Sequence, residues 1–340
     1  MTGSLNQRAL EIIGPILADP ARYGARLVRT SGGATIVDMG IEAPGTWLGA
    51  KLFVEASFGG LAEVSYGRMS IKGLDVPSVE VAIDSPMLAV VACQVGAMKL
   101  GEGAFAALGS GPARAKARAD RWAQRVEYED PSPLALIQLQ MRGLPAEETL
   151  QEVAAVCRIP LSNLTAMVAP TASLVGSVQV ASRAFEQCIV ALARNTSFDI
   201  TCILGGRSVA PVAPVIDDEL WAMGRTNDSV VYGGSSSLWV RHPDDEAVRQ
   251  ATESVPFVVS AGEHYAKSYR EIFEAFGRSL YNIPAHIDGP AKIAMTNRFT
   301  GSMFVAGEID LDRLYRSFTE IPGRPIGPRR TPERTASLTQ

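Results

Sequence analysis

The segments LALIQLQ (134–140), NLTAMVAP (163–170), SLVGSVQVASRAFEQCIVALAR (173–194) and DITCILGG (199–206) decide the fold. The first, second and fourth are short, aliphatic-rich runs bounded by turn residues, as buried strands are. Between them, Pro145 to Val156 and Ser173 to Arg194 read as helices, the second a single long one. Strands alternating with helices predict parallel β-α-β units, and hence an α/β (α+β) fold.

Outward from this stretch the signals are more mixed. Ser4 to Leu17 has Leu5, Ala9, Ile12, Ile13 and Ile16 at helical spacing, with Ser4 as cap. RLVRTSGGATIVDMG (26–40) reads as a hairpin around Ser31-Gly32-Gly33. KLFVEAS (51–57), LAEVSYG (61–67) and VEVAID (79–84) are strand-like. Ser85-Pro86 opens MLAVVACQVGAM (87–98), apolar all round and therefore a buried helix, with Gln94 its polar exception. Further on, SVVYGGSSSLWVRH (229–242) and AKIAMTNRFTGSMFVAG (291–307) read as hairpins. No linker separates the parts, so two closely packed α/β subdomains are expected, 1–133 and 134–320. They are followed by a disordered Arg/Pro-rich tail, 321–340.

Composition excludes several function classes. The 340 residues are 46% hydrophobic and 20% charged, with a net charge of −4. Four arginines and one acid fall in the last twenty residues, so the body is more acidic still and offers no basic stripe for nucleic acid. Three lone histidines, His242, His264 and His286, and four scattered cysteines, Cys93, Cys157, Cys188 and Cys202, form no metal-ligand spacing. No apolar run reaches the roughly 18 residues of a membrane span. The start lacks the layout of a signal peptide, so a cytoplasmic protein with reduced thiols is expected.

Glycine-rich runs at 109–114, 205–208 and 233–237 expose backbone N–H groups, but none matches a nucleotide-binding pattern, and each reads first as a tight turn. The segment VAPTASLVGSVQVASRAFE (168–186) says more. Its small and hydroxyl residues at the helix entry let a ligand come close, which makes Pro170, Thr171 and Ser173 candidate substrate contacts. Arg183 and Glu186 stand three apart and share a helical face. On an exposed helix such a pair is worth little. Here the neighbouring turns are apolar, and a buried charge pair is costly unless it is used or fully hydrogen-bonded. A buried Glu beside an Arg can serve as a general base, with burial raising its pKa and the guanidinium lowering it.

Together with GSGPARA (109–115), YEDPS (128–132), SVAPVAPVIDDELWAMGRTNDSVVYGG (208–234) and DMG…GLAEV (38–64), that segment closely resembles methenyltetrahydromethanopterin cyclohydrolase over roughly residues 5 to 320. The resemblance implies two α/β domains around a large interdomain pocket and a homotrimer. It implies reversible addition of water to the N5,N10-methenyl bridge of a tetrahydromethanopterin, giving the N5-formyl derivative and a proton, with no metal or other cofactor. It places the catalytic pair on Glu186 and Arg183, and further site lining on Cys93, Gln94 and Val95. With the bias of 26 Arg to 6 Lys, formaldehyde oxidation in a methylotroph is the expected setting, a methanogenesis-type pathway the other. Two alternatives share some features: a non-catalytic pterin-binding protein, and a nucleotide-dependent phosphotransferase, which would need a lysine on the phosphates.

Overall fold

A computed structural model describes residues 3–96, 98–100, 107–279, 282–284 and 286–322. The expected disordered tail, past Pro322, lies outside the described residues. Along the first part of the chain run strands β1 (Arg26–Arg29), β2 (Thr35–Asp38), β3 (Ala62–Ile71), β4 (Leu74–Asp84), β5 (Met98–Leu100) and β6 (Ala107–Ser110). The second part adds β7 (Ala135–Gln140), β8 (Leu164–Ala169), β9 (Ile203–Pro211), β10 (Ser235–Val240), β11 (Lys292–Asn297) and β12 (Met303–Gly307). They form two six-stranded sheets, ordered β1-β2-β8-β7-β6-β5 and β12-β11-β10-β9-β4-β3.

The expected parallel unit is present: β7 and β8 pair in parallel, joined by a helix at Glu147–Cys157, and β2 continues the parallel set. The next strand departs from expectation. DITCILGG does not extend that sheet; its β9 enters the second sheet, antiparallel to both β4 and β10. Each sheet therefore takes strands from both sides of the division expected at 133/134, with the β3–β4 hairpin completing the sheet of β9–β12. The reason is burial: Val79, Val81 and Ile83 of β4 share one apolar cluster with Ala210, Leu238, Val240 and Met295. Val37, Leu136 and Met167 of the first sheet reach the same cluster, while Ile36, Ile137 and Ala166 face a second one beneath Leu150 and Val153. The alternation along β2 and β7 thus gives the first sheet two covered faces.

Helix α1 (Leu5–Ala18) forms as read, with Ser4 Oγ accepting from Gln7 N at 3.0 Å. KLFVEAS, expected as a strand, lies instead in helix α2 (Trp47–Ser57). Its buried Gly49, Ala50, Phe53, Val54 and Ser57 follow a helical period once Thr46, the capping residue, is taken as the start. SVVYGG is likewise no hairpin arm: Ser229 to Val231 end a helix, and β10 pairs with β9 and β11. The 291–307 hairpin is present as β11 and β12. No helix among the described residues is long and apolar enough to cross a membrane.

The helix expected to run unbroken from Ser173 to Arg194 is two helices, α3 (Leu174–Ala181) and α4 (Ala184–Asn195). Ser182 Oγ donates to the Gln179 carbonyl at 2.6 Å, and Arg183 N bonds back only three residues, to Val180 O. A hydroxyl competing for the helix carbonyls in this way favours a break. Gly176, in the first turn of α3, has no room for a side chain. A Cβ there would stand 2.0 Å from Pro170 O and 2.9 Å from Thr171 Cα. Gly176→Ala is expected to cost about 1–3 kcal/mol, the usual range for overpacking, read as a lowered urea midpoint at unchanged m-value.

Candidate active site

The break between α3 and α4 makes the candidate pair. Arg183 occupies the turn, with φ −84° and ψ 0°, and Glu186 lies in the first turn of α4. The start of α4 is held against the second sheet: Ser236 Oγ donates to Ala184 O at 3.0 Å, and Phe185 packs over Gly206 of β9, where a Cβ would come within 3.0 Å of the ring. The Gly205-Gly206 pair is therefore part of a strand on which a helix packs, not a loop open to an anion.

Four elements converge on the Arg183 guanidinium. Nη1 donates to Gln94 O at 3.1 Å and lies 3.4 Å from Glu186 Oε2. Nη2 approaches Ser110 Oγ of β6 at 3.4 Å. With its amide oxygen turned toward the guanidinium, Gln179 of α3 accepts from Nη2 at 2.7 Å and Nε at 2.9 Å. The tight contacts, to Gln94 O and the Gln179 amide oxygen, are thus to neutral oxygens, and the contacts to Glu186 and Ser110 are the long ones. The carboxylate is located by Arg183 without being consumed in a bidentate pair.

Both side chains are mostly buried, 14% exposed for Arg183 and 10% for Glu186. Burial pushes the Glu186 carboxyl above the usual range, and the charges of Arg183, Arg194 and Arg114 oppose it. Asp288, which the sequence reading did not single out, belongs to the same electrostatic neighbourhood. Its carboxyl is pushed up to about 7 by burial first and by the Glu186 charge second. A proton acceptor poised above ordinary carboxylates suits general-base work near neutral pH.

Residues 93–95 lie at the end of the buried helix Met87–Gln94, whose π-type turn closes with Val95 N donating to Val90 O. Such turns leave carbonyls free at the end. A fully buried cation takes them up: Arg114 Nη1 donates to Cys93 O at 3.0 Å and reaches Ala92 O and Val91 O, while Nε and Nη2 clasp Asp120. The GSGPARA run is thus a structural fastening and contributes Ser110 to the site. Burial raises the Cys93 thiol to about 12, so it meets any ligand as a neutral apolar group. Gln94 is buried, and neither atom of its side-chain amide has a hydrogen-bond partner. An unpaired buried amide is costly, about 1–3 kcal/mol per group.

Pro170, Thr171 and Ser173 form the turn before α3, with the backbone of Pro170 and Thr171 packed directly against Gly176. Ser173 caps the helix, accepting from Gly176 N at 3.0 Å and donating to Pro170 O at 2.7 Å. Thr171 Oγ1 is taken by Gln140, and the N–H groups of Thr171 and Ala172 donate to the Glu219 carboxylate at 3.0 and 2.9 Å. The hydroxyls of this turn are therefore already engaged within the fold, and none of its three residues borders the small cavity beside the guanidinium. Phe53, Ser110, Gln138, Gln140, Gln179 and Arg183 border a small cavity beside the guanidinium. A wider groove of about 710 Å³, lined by Asp84, Arg207, Trp239 and Arg298 among others, contains none of the candidate residues. In AMGRTND (222–228), Arg225 is spent on Pro214 O and Glu320 O, and Asp228 on Tyr269 N and Ser317 Oγ, so this motif ties helices together. Ser110 and Gln179 could have been found from their place in the resemblance motifs; Asp288 carried no such signal.

A family model described as Cyclohydrolase (MCH) matches residues 4–318. A methenyltetrahydromethanopterin cyclohydrolase of Methanocaldococcus jannaschii is 32% identical over 323 residues, covering 94% of this chain and 99% of the relative. The Methanospirillum hungatei protein of the same name is 35% identical over 316 residues, covering 93% and 98%.

Proposed function

The chain belongs to the cyclohydrolase (MCH) family, and from that premise we propose that it hydrolyses an N5,N10-methenyl-tetrahydromethanopterin to the N5-formyl derivative, with Glu186 as general base. The observation that carries this reading is a buried carboxylate, raised in pKa, 3.4 Å from a guanidinium that three neutral oxygens hold in place. Water adds to the cationic methenyl carbon and forms a C–O bond. Glu186 takes one proton of that water. The C–N10 bond then breaks, N10 receives a proton, and one proton is released overall. Arg183 keeps Glu186 ionised against the burial that would protonate it and fixes the carboxylate toward the water.

Gln94 is the polar contact on the substrate side, its amide free to pair with the pterin. Cys93 and Val95 supply apolar surface beside it, and Pro170, Thr171 and Ser173 complete the contact surface. The chemistry requires neither metal nor nucleotide. A homotrimer with an interdomain pocket, a cytoplasmic setting and formaldehyde oxidation rest on the resemblance and form part of the proposal. Purified protein is expected to abolish the absorbance of a methenyl pterin without added metal or nucleotide. Tight binding with the absorbance intact would favour a carrier protein and overturn the hydrolase reading.

Arg183→Ala is expected to lower kcat and also to move the acid limb of the pH–rate profile upward, because the charge that opposes burial of Glu186 is gone. An unmoved limb would separate Arg183 from the base. Gln94→Leu separates stability from binding. Removing an unpaired buried amide is expected to leave the melting temperature unchanged or higher, while KM rises about tenfold for one lost hydrogen bond to substrate.

A further inference from the structure

A polar side chain stands in the apolar core behind the Arg183 guanidinium. Gln138 interrupts the otherwise aliphatic run Ala135 to Leu139 of β7 and is only 2% exposed. Its Nε2 donates to Phe53 O of α2, while its Oε1 has no hydrogen-bond partner among the described residues. Turning the amide over would set its oxygen against the Phe53 carbonyl and leave the nitrogen unpaired instead, so Phe53 fixes the orientation. A carbonyl oxygen buried without a donor is costly, and such groups are rare in folded proteins.

Gln138 borders the small cavity beside Arg183, where Ser110, Gln140 and Gln179 are the other polar side chains and Phe53, Leu108 and Ala169 part of the apolar wall. The cavity gives a water's centre about 10 Å³, room for one molecule. Its chemistry selects the occupant. Gln138 Oε1 only accepts, so the occupant must donate; a cation would meet the charge of Arg183, and nothing larger than water fits. Ser110 of β6 lies directly opposite Gln138 in the sheet register, which puts both side chains on one face. Ser110 Oγ is also 3.4 Å from Arg183 Nη2, long for a hydrogen bond.

We propose that one buried water bridges Gln138 Oε1 and Ser110 Oγ, and that Gln138, acting through it, is a positioning residue for Arg183. The water donates one hydrogen to Gln138 Oε1 and accepts the hydroxyl hydrogen of Ser110. That turns a lone pair of Ser110 Oγ toward Nη2, on the side of the guanidinium away from its Nη1 contact with Glu186. The catalytic consequence rests on the function proposed above, whereas the water site stands without it.

The test pairs a crystal structure of the unliganded full-length protein with kinetics of Gln138→Met on a methenyl pterin, in the wild-type and Arg183→Ala backgrounds. One ordered water is expected within about 3.2 Å of both Gln138 Oε1 and Ser110 Oγ. In the wild-type background kcat falls about three- to tenfold, the worth of one hydrogen bond, with KM within about twofold. In the Arg183→Ala background the same substitution costs nothing further, because the residue it positions is gone. Ser110→Ala, read in the same two backgrounds, serves should Gln138→Met fail to fold. A dry cavity overturns the water site. An unchanged kcat, or an equal loss in both backgrounds, overturns the positioning role. If the wild type turns over no methenyl pterin, it is the hydrolase reading that fails, and the crystal structure still judges the water.

Discussion

Glu186→Gln is expected to lower kcat by about 10²–10⁴-fold, the usual worth of a positioned general base, while substrate binding and the melting temperature change little. Glutamine keeps the shape and one acceptor oxygen but cannot take a proton. Near-normal turnover in this variant would remove Glu186 from the mechanism. The pH profile supplies an independent reading. In the wild type the base must be ionised, so activity falls as pH drops through a carboxyl raised above the ordinary range by burial. Asp288, at about 7, feels the Glu186 charge, so the observed limb belongs to the pair rather than to one residue. In Glu186→Gln that limb disappears from what activity remains. The Asp288 carboxyl, freed of its neighbour's charge, titrates below 7, which can be followed by NMR.

The same pair shows how far the sequence could be read. Arg183 and Glu186 were visible as charges in an apolar run, and their three-residue spacing pointed to proximity. Their actual relation comes from a break at Ser182 that helix periodicity does not report, because Ser is acceptable within a helix until its hydroxyl captures a carbonyl. The β7–helix–β8 unit was legible because its strands pair with near neighbours in the chain. The partners of β9 were not: they lie at 74–84 and 235–240, and pairing across such distances is set by which apolar faces the whole core can cover. Gln94 was visible as a polar residue in an apolar helix, but only the structure shows that its amide is unpaired. Asp288 sits in a glycine- and proline-flanked loop with no periodic signal, and its closeness to Glu186 is purely tertiary.

Arg114→Met should be among the most destabilising single substitutions in the chain, by about 3–5 kcal/mol, the usual loss when one partner of a buried ion pair is removed. Arg114 is fully buried and Asp120 nearly so, at 15% exposed. The guanidinium spends Nε and Nη2 on Asp120 and Nη1 on the carbonyls of Val91, Ala92 and Cys93. Methionine fills much of the volume but leaves a carboxylate and three helix-end carbonyls without their cation. Urea unfolding should show a lower midpoint, and a total stability of 5–15 kcal/mol makes such a loss a large fraction of the whole. Adding Asp120→Asn should restore part of it, since the uncompensated charge is then gone while the amide still accepts from Trp122 N and Ala123 N. A double variant no more stable than Arg114→Met would mean that the carbonyls, not the carboxylate, are the main need. The site should feel either variant, because the carbonyl of Gln94, next to Cys93, is an anchor of Arg183. Once the helix end loosens, Arg183 loses one of its neutral acceptors, and the Arg114 charge that opposes the burial of Glu186 is gone as well. The folded fraction of Arg114→Met should therefore show a reduced kcat with its acid limb moved to higher pH, in the same direction as the shift expected for Arg183→Ala.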